Sequence, residues 1–503
     1  MPEPSGTGPT GLTREMGLAG LAATGICSML GAAINVVPIM LQRNVPGIGP
    51  YVLPAYAFAA VPALLAALAY AVLASAMPRA GGSYVYASRA LSPYLGFVAS
   101  FSQWFGLSIA IGVVAYLLVP FLRDIATAVG WGALANAFEE GPVRVTIALV
   151  FLWTFVGVNL RGVRTVQYTL IPLMVLMFAL GAVVIVAGFS FDHADFAAAL
   201  ARQSAAAAPA AGGFASAPAP FRPGSFLAAS ALLFSSFIGF DSIAQAGGEA
   251  RNPGRALPLA IGVSVLTVGA FYLLFTAAVY HAVPWGYVAH EAKSRDLTAP
   301  GLLGTLLSPG WTVAIVVGAA VALTNDLPAM ILAVSRLMFA WGEDGIFPRA
   351  VTRVHAAWHT PHVAIVLSGA MASLGILGSH LAGDFFLGVD ILVTSMLVNF
   401  LLMCVSVLAL PRRNPAIARM VTVAPSRAVQ VPLAAGGVAL LSVFLAVHVW
   451  KDLTADVAAW YFRSTPLWIM VMAVATAIYV REVGKLRRAG VDVGALFSTL
   501  PPE

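Results

Sequence analysis

The sequence predicts an all-α integral membrane protein with about twelve transmembrane helices. Hydrophobic residues make up 60% of its 503 residues and charged residues only 10%, whereas soluble domains average about 25% charged residues. The mean hydropathy of +0.89 points the same way. A chain with so little polar surface does not dissolve as a globule, so its composition argues against a soluble enzyme, a disordered protein or a nucleic-acid binder.

Twelve apolar runs are long enough to cross a bilayer, because a spanning helix needs roughly 20 mostly apolar residues. The run at 143–159 is short, and the run at 310–340 is so long that it must tilt or protrude. The predicted spans are 17–41, 52–76, 95–122, 143–159, 168–190, 226–248, 258–280, 310–340, 361–381, 385–410, 430–450 and 465–481.

The basic residues predict that both ends of the chain lie in the cytoplasm. Twelve spans place the two ends on one side, and with that side inside, most of the 27 Lys and Arg residues fall in inner loops, as the positive-inside rule requires. The first dozen residues lack the basic stretch of a cleavable signal. We therefore expect a multi-pass protein of the plasma membrane, the inner membrane of the cell.

One low-complexity segment divides the chain. Residues 197–224 are rich in Ala, Pro and Gly and are predicted to form a flexible external loop. The predicted organisation is a cytoplasmic tail at 1–14, a first five-helix repeat at 15–190, an external loop at 191–225, a second five-helix repeat at 226–410, two additional helices at 411–481 and a cytoplasmic tail at 482–503.

Two of the predicted spans contain sequence that weakens a helix. The first span includes GICSMLGAAIN, 25–35, and the sixth includes SSFIGFD, 235–241, followed by two more glycines. Glycine lowers helix propensity by about 1 kcal/mol relative to alanine, and irregular backbone at membrane depth is tolerated only where it lines a cavity. Breaks in the first and sixth spans are typical of transporters built from two five-helix inverted repeats, although glycines can also serve only to let helices pack closely.

Two carboxylates lie inside predicted spans. Asp241 belongs to the sixth span, and Asp326 belongs to the eighth, beside Asn325. A carboxylate at the bilayer centre costs about 2.5–3.5 kcal/mol on insertion scales, so each needs a cavity, a partner or a proton. Asp326 is the stronger candidate for a proton or charge site, whereas Asp241 is equally well explained as a cap of the second half-helix.

Four segments together resemble the amino acid–polyamine–organocation (APC) family of permeases. In the first segment, Cys27 and Ala33 stand where the family motif GxGxxIGxGI has glycines. The matches follow the family's order over about the first three quarters of the chain. The segments are 25–34, 78–97 (PRAGGSYVYASRALSPYLGF), 237–258 (FIGFDSIAQAGGEARNPGRALP) and 335–348 (SRLMFAWGEDGIFP).

This resemblance implies a LeuT-like fold with discontinuous helices 1 and 6 and no enzymatic chemistry. It implies that backbone N–H groups of the first break bind the carboxylate of the substrate, and that carbonyl groups of the sixth-span break bind its amine. The predicted substrate-binding residues comprise the two breaks, the aromatic residue after the second break and the polar pair of the eighth span. They are Gly31, Ala32, Ala33, Phe237, Ile238, Gly239, Phe240, Asn325 and Asp326.

Three departures from the family pattern matter. Ser235 stands where many members carry an aromatic gate, so either Phe234 or Phe240 serves as the gate or the pocket is larger. No lysine precedes Lys293, so the fifth-span lysine that some members have at the position of a sodium site is absent. The Asn-Asp pair of the eighth span replaces small hydroxyl residues, which suggests a cationic substrate or a proton-binding site.

We therefore expect a permease that carries an amino acid or a related organic amine by alternating access, driven by a proton gradient or by exchange. Basic amino acids or polyamines and small neutral amino acids both stay open as substrates. The alternative is a nutrient sensor or a channel built on the same fold. We expect no catalytic residues, no metal site, no cofactor and no nucleic-acid partner, and a monomer or homodimer within the lipid bilayer.

Overall fold

The computed structural model describes residues 14–203, 220–294, 296–383, 385–457 and 459–501. Within these ranges the chain forms α-helices joined by short connections, and the only β-type pairings there are two isolated bridges. Eleven helical segments are long and apolar enough to cross a membrane. The prediction of an all-α integral membrane protein is confirmed.

In chain order, the described α-helices are α1 (Leu18–Met29), α2 (Ala32–Asn44), α3 (Val52–Ala76), α4 (Gly82–Ala90), α5 (Pro93–Ala128), α6 (Gly132–Ala137), α7 (Gly141–Leu160), α8 (Val163–Ser190), α9 (His193–Gln203), α10 (Pro223–Leu233), α11 (Asp241–Gln245), α12 (Pro253–Ala282), α13 (Trp285–Glu291), α14 (Ala299–Leu303), α15 (Pro309–Glu343), α16 (His362–Ala382), α17 (Phe386–Arg413), α18 (Pro415–Ala418), α19 (Arg427–Thr454), α20 (Ser464–Arg488) and α21 (Val493–Leu496). Short 3-10 helices lie at Gly49–Tyr51, Phe234–Phe237, Gly247–Glu249, Arg349–Thr352 and Trp460–Phe462.

The eleven candidate spans coincide with eleven of the twelve predicted ones, and the exception is the sixth. Its continuous apolar helical stretch, Pro223–Phe237, is too short to cross the bilayer. Beyond it, the extended Ile238, then Gly239 and Phe240, separate this stretch from α11. The first span is likewise divided, into α1 and α2. Both predicted discontinuities are present, while the five-plus-five inverted repeat stays a prediction.

The segment predicted as an external loop, 191–225, begins with a helix. The Asp192 carboxylate accepts hydrogen bonds from the backbone N–H groups of Ala194 (2.8 Å) and Asp195 (2.9 Å), and Asp195 accepts one from the Asp192 N–H (3.1 Å). These backbone hydrogen bonds lower the pKa of Asp192 and form a cap that starts α9. The predicted loop is therefore helical at 193–203, its external position stays a prediction, and the low-complexity stretch 204–219 lies outside the described residues.

The long helix α5 lies in the middle of the bundle. It packs along α15, α16 and α17. Helix α1 packs against α8, α12 and α15, so the broken first span is enclosed by other helices rather than by lipid. Because irregular backbone needs protein or water around it, this central position is where a divided span is tolerated.

Both described ends of the chain lie at one end of the bundle. The Met16 N–H donates to the Glu249 carbonyl oxygen (2.9 Å), and Arg79 Nε donates to the Pro501 carbonyl oxygen (3.1 Å). The residue after Arg79 forms a bridge with Ala246, which joins the two groups of contacts. Two chain ends on the same side of a membrane require an even number of membrane crossings. The end of the bundle where they lie is the one predicted to be cytoplasmic.

Candidate functional site

The first membrane span is interrupted at Gly31. Helix α1 ends at Met29, whose carbonyl oxygen accepts a hydrogen bond from the Tyr272 hydroxyl. Gly31 lies against the carboxyl group of Asp326, so closely that a β-carbon on Gly31 would overlap with it. Glycine is therefore needed here because the eighth-span carboxyl group approaches the backbone at the start of α2.

The sixth span is interrupted between α10 and α11. After the 3-10 turn, Ile238 is extended and Gly239 has a φ of +136°. A β-carbon on Gly239 would collide with the backbone carbonyl of Ser28 in the last turn of α1. Both the positive φ and this contact exclude other residues. The two breaks therefore touch each other through backbone.

A cavity of about 70 Å³ lies beside the two breaks. Its walls come from α1, α2, α5, the sixth-span break, α15 and the beginning of α17, and they are mostly aliphatic. Of the described residues that line it, Asp326 is the only charged one, and Ser28 and Ser235 carry the only hydroxyl groups. In such apolar surroundings the interaction of the Asp326 carboxyl group with a ligand charge is much stronger than in water.

Several predicted site residues meet at this cavity. Ile238 and Asp326 line it, and Gly31 contacts the Asp326 carboxyl group. Ala32 and Ala33 form the first turn of α2, whose N-terminal end follows Gly31 directly. This part of the predicted site is thus brought together around the first break, and its role in binding stays a prediction.

The predicted aromatic residues pack within the bundle beside the sixth-span break. The ring of Phe237 packs edge-to-face on Tyr56 at 5.7 Å between centroids. Phe240 stacks on Phe400 at 5.0 Å, and Phe234 packs edge-to-face on the same ring at 5.9 Å. None of the three predicted residues is among the described residues that line the cavity. A gating role for Phe234 or Phe240 stays a prediction and requires these rings to move.

Asp241 and Asn325 are fully buried and hydrogen-bonded away from the cavity lining. Asp241 begins α11, and its carboxylate accepts hydrogen bonds from the Gly239 N–H (3.0 Å) and from the Gln103 side-chain amide. The Gly239 N–H precedes α11, so these hydrogen bonds fix the sixth-span break and do not form a side-chain cap of the helix. Asn325 Nδ2 donates to Cys27 Sγ (2.9 Å) and so joins α15 to α1. Both side chains therefore have structural partners in this conformation.

Sequence analysis missed a chain of buried polar side chains next to the sixth-span break. Gln245 Nε2 donates to Ser83 Oγ (2.8 Å) and to Gln103 Oε1 (3.3 Å). Ser83 Oγ shares a hydrogen bond with the Tyr70 hydroxyl (2.6 Å), to which Asn399 Nδ2 also donates (2.6 Å). Buried amides must find partners, so the presence of Gln and Asn in apolar segments was the available signal. The chain links α3, α4, α5 and α17 to α11.

Two buried ion pairs hold together the end of the bundle that is predicted to be cytoplasmic. Arg336 Nη2 lies 2.6 Å from Glu249 Oε1, with both side chains at most 2% exposed. Arg89 donates to both carboxylate oxygens of Asp344, at 2.6 and 3.1 Å. Burial alone would lower the pKa of Arg89, but the hydrogen bonds and charge of Asp344 outweigh it and the pKa is raised. The guanidinium therefore stays charged, and both pairs must separate before these elements can move apart.

The C-terminal segment covers the same end. The Phe497 ring centre lies 4.7 Å from the guanidinium carbon of Arg89, within cation–π distance. Arg89 Nε donates to the Thr499 carbonyl oxygen (3.2 Å), and Asn414 Nδ2 donates to the Ser498 carbonyl oxygen (3.0 Å). The segment around α21 is thereby fastened over α4 and the end of α17.

A multi-pass helical bundle with two divided spans that meet beside a cavity is the architecture of a membrane transporter. Comparison with known families agrees, because the amino acid permease family model matches residues 16–476. The chain therefore belongs to the amino acid permease family, as the resemblance implied, and it is a transporter rather than an enzyme.

Individual relatives include bacterial and animal transporters. The chain is 24% identical over 502 residues to the branched-chain amino acid permease BcaP of Bacillus subtilis, covering 96% of each chain. It is 26% identical over 348 residues to the low-affinity putrescine importer PlaP of Escherichia coli, covering 69% of each. It is 28% identical over 378 residues to the cationic amino acid transporter 4 of Mus musculus, covering 73% of this chain and 55% of that one.

Proposed function

We propose that this protein is a secondary active permease that carries an amino acid or a related organic amine across the plasma membrane by alternating access. The observation that carries the proposal is the cavity where the two helix breaks meet. Helix ends leave N–H and carbonyl groups without intrahelical partners, and transporters use such ends to bind the ionic groups of small substrates. The names of the relatives, which are a permease, an importer and a transporter, support the same function.

The proposed mechanism moves 15–190 and 226–410 as two repeats about the cavity, with both chain ends in the cytoplasm. The proposed driving force is a proton gradient or exchange of one substrate for another. Asp326 is the candidate charge site because it lines the cavity. Asp241 is the weaker candidate, because its carboxylate already accepts hydrogen bonds from the Gly239 N–H and the Gln103 amide and does not line the cavity.

The proposal is tested by uptake into proteoliposomes. Purified protein is reconstituted, and uptake of radiolabelled amino acids and amines is compared under an imposed pH gradient and after preloading with unlabelled substrate. Proton coupling predicts accumulation with the gradient alone, whereas exchange predicts uptake only after preloading. A channel or a sensor predicts neither accumulation nor counter-flow.

A matched pair of glycine variants serves as control. Gly31→Leu places a side chain where the Asp326 carboxyl group now lies, whereas Gly262→Leu, in α12, enters open space. We expect the first to abolish uptake and the second to keep it at the wild-type level. Uptake no higher than in empty liposomes for every compound, or wild-type uptake by Gly31→Leu, contradicts the proposed function or its site.

A further inference from the structure

We infer that the substrate is a small organic cation with an amine and no carboxylate, because Asp326 of the protein already occupies the position that a substrate carboxylate would take. This inference rests on the proposed function and narrows its substrate class. It makes Asp326 the residue that determines specificity.

The first argument concerns the N-terminal ends of the two half-helices. A helix N-terminus favours a negative charge, and these two ends are where an anionic group of a substrate would bind. The Asp326 carboxyl group lies against Gly31, directly before α2. Asp241 is the first residue of α11, and its carboxylate accepts a hydrogen bond from the Gly239 N–H. Both ends are therefore supplied with carboxylates of the protein, and a substrate carboxylate would come to lie beside Asp326 as a like charge.

The second argument concerns the charge of the cavity. No described lysine, arginine or histidine lines it, and Asp326 is its single charged residue. Like charges repel strongly in an apolar cavity, because the low dielectric strengthens their interaction. A cation without its own carboxylate neutralises the site, whereas a zwitterionic amino acid leaves one negative charge in excess.

The third argument concerns hydrogen-bond acceptors for an ammonium group. Ser28 is 6% exposed and lines the cavity, and no described group is a hydrogen-bond partner of its Oγ. A second acceptor is the Asp326 carboxyl group. The backbone at Ile238 follows the C-terminal end of the sixth-span turn, and such carbonyl-rich ends favour cations. These groups suit the three N–H donors of a primary ammonium.

The size and the walls of the cavity define the rest of the ligand. The cavity volume of about 70 Å³ favours a small ligand in this conformation. The walls on α2 and α5 carry valine and leucine side chains. The best match is a primary amine with a short branched alkyl chain, such as isobutylamine.

The first experiment compares ligands on the wild-type protein. Thermal unfolding and competition for uptake are measured with valine, valinamide and isobutylamine, and with the corresponding sets derived from alanine, leucine and ornithine. Valinamide has the size of valine but no carboxylate, so it separates charge from size. We expect the amides or amines to raise the unfolding temperature of the protein and to compete for uptake. The parent amino acids are expected to have neither effect, even at tenfold higher concentration.

The second experiment changes the protein. Asp326→Asn and Ser28→Ala are each expected to weaken amine binding, the first by roughly tenfold to hundredfold because a charge-assisted hydrogen bond is lost. Asp326→Ala is expected to open the position for a substrate carboxylate and so to gain binding of valine. Asp456→Asn, which changes an exposed carboxylate outside the cavity, is the control and leaves binding unchanged.

The outcomes separate this inference from the proposed function. If wild-type protein binds and transports amino acids as well as or better than their amides, the inference is wrong and the permease function stands. If no amine or amino acid binds or is taken up, both are wrong. If Asp326→Asn keeps amine affinity but loses accumulation under a pH gradient, Asp326 carries a proton and is not the counter-charge of the substrate.

Discussion

Gly239 offers the most direct test of the contact between the two helix breaks. Its φ of +136° lies in a region that costs a residue with a β-carbon about 1–3 kcal/mol. The new β-carbon of Gly239→Ala would also meet the backbone of Ser28, which cannot rotate away as a flexible side chain could, and such overpacking costs about 1–3 kcal/mol. Together these effects amount to about 2–6 kcal/mol against the observed arrangement.

The assay combines uptake into proteoliposomes with thermal unfolding of the purified protein. We expect Gly239→Ala to reduce uptake at least tenfold and to lower the unfolding temperature. Gly262→Ala is the matched control, because a β-carbon there meets no atom within 4 Å. If the two variants transport and unfold alike, Gly239 does not pack on α1 as described and the geometry of the cavity is wrong.

Three further predictions concern the ends of the bundle. Glu249→Gln leaves the buried Arg336 guanidinium unpaired, so we expect a loss of about 3–5 kcal/mol in unfolding free energy, and wild-type thermal stability would contradict this. Phe497→Ala removes the ring that packs on a buried guanidinium, so the C-terminal segment should become accessible to protease, with about 1–3 kcal/mol less protection; an unchanged digestion pattern argues against the contact. Gly224→Cys should react with an impermeant thiol reagent in intact cells, and Arg413→Cys only after permeabilisation, because the predicted orientation places residue 224 outside and residue 413 inside. Both native cysteines are buried, so they should contribute little background labelling. The reverse labelling pattern overturns the orientation.

The spans and their breaks could be predicted because their signals are local. Length and apolar composition identify a membrane helix without knowledge of its neighbours, and the glycines at 31 and 239 lie within the broken segments themselves. Helix α9 had a local signal as well, the capping sequence DHAD at 192–195. It was overlooked because the alanine- and proline-rich composition that follows outweighed it.

The partners of the site residues could not be predicted, because they are distant in the sequence. Nothing near Asp326 indicates that its carboxyl group lies against Gly31. The same holds for Phe240, one of the two residues predicted as a gate, whose stacking on Phe400 has no local signal. An aromatic residue beside a helix break can face either a cavity or the protein core, and only the packing of other spans decides which.

The two intramembrane carboxylates show how backbone context separates a structural role from a binding role. Asp241 directly follows the irregular sixth-span break, so the N–H of Gly239, two residues earlier, satisfies its carboxylate locally. Asp326 lies in the middle of α15, where the N–H groups are engaged in the helix and cannot serve its side chain. Its carboxyl group must therefore find its surroundings on another element, and it lies at the start of α2 beside the cavity. Any movement of α15 relative to α2 changes the environment of this carboxyl group, so in the proposed mechanism a cation bound at Asp326 would stabilise the arrangement in which the two helices meet. This is the coupling between occupancy and conformation that alternating access requires.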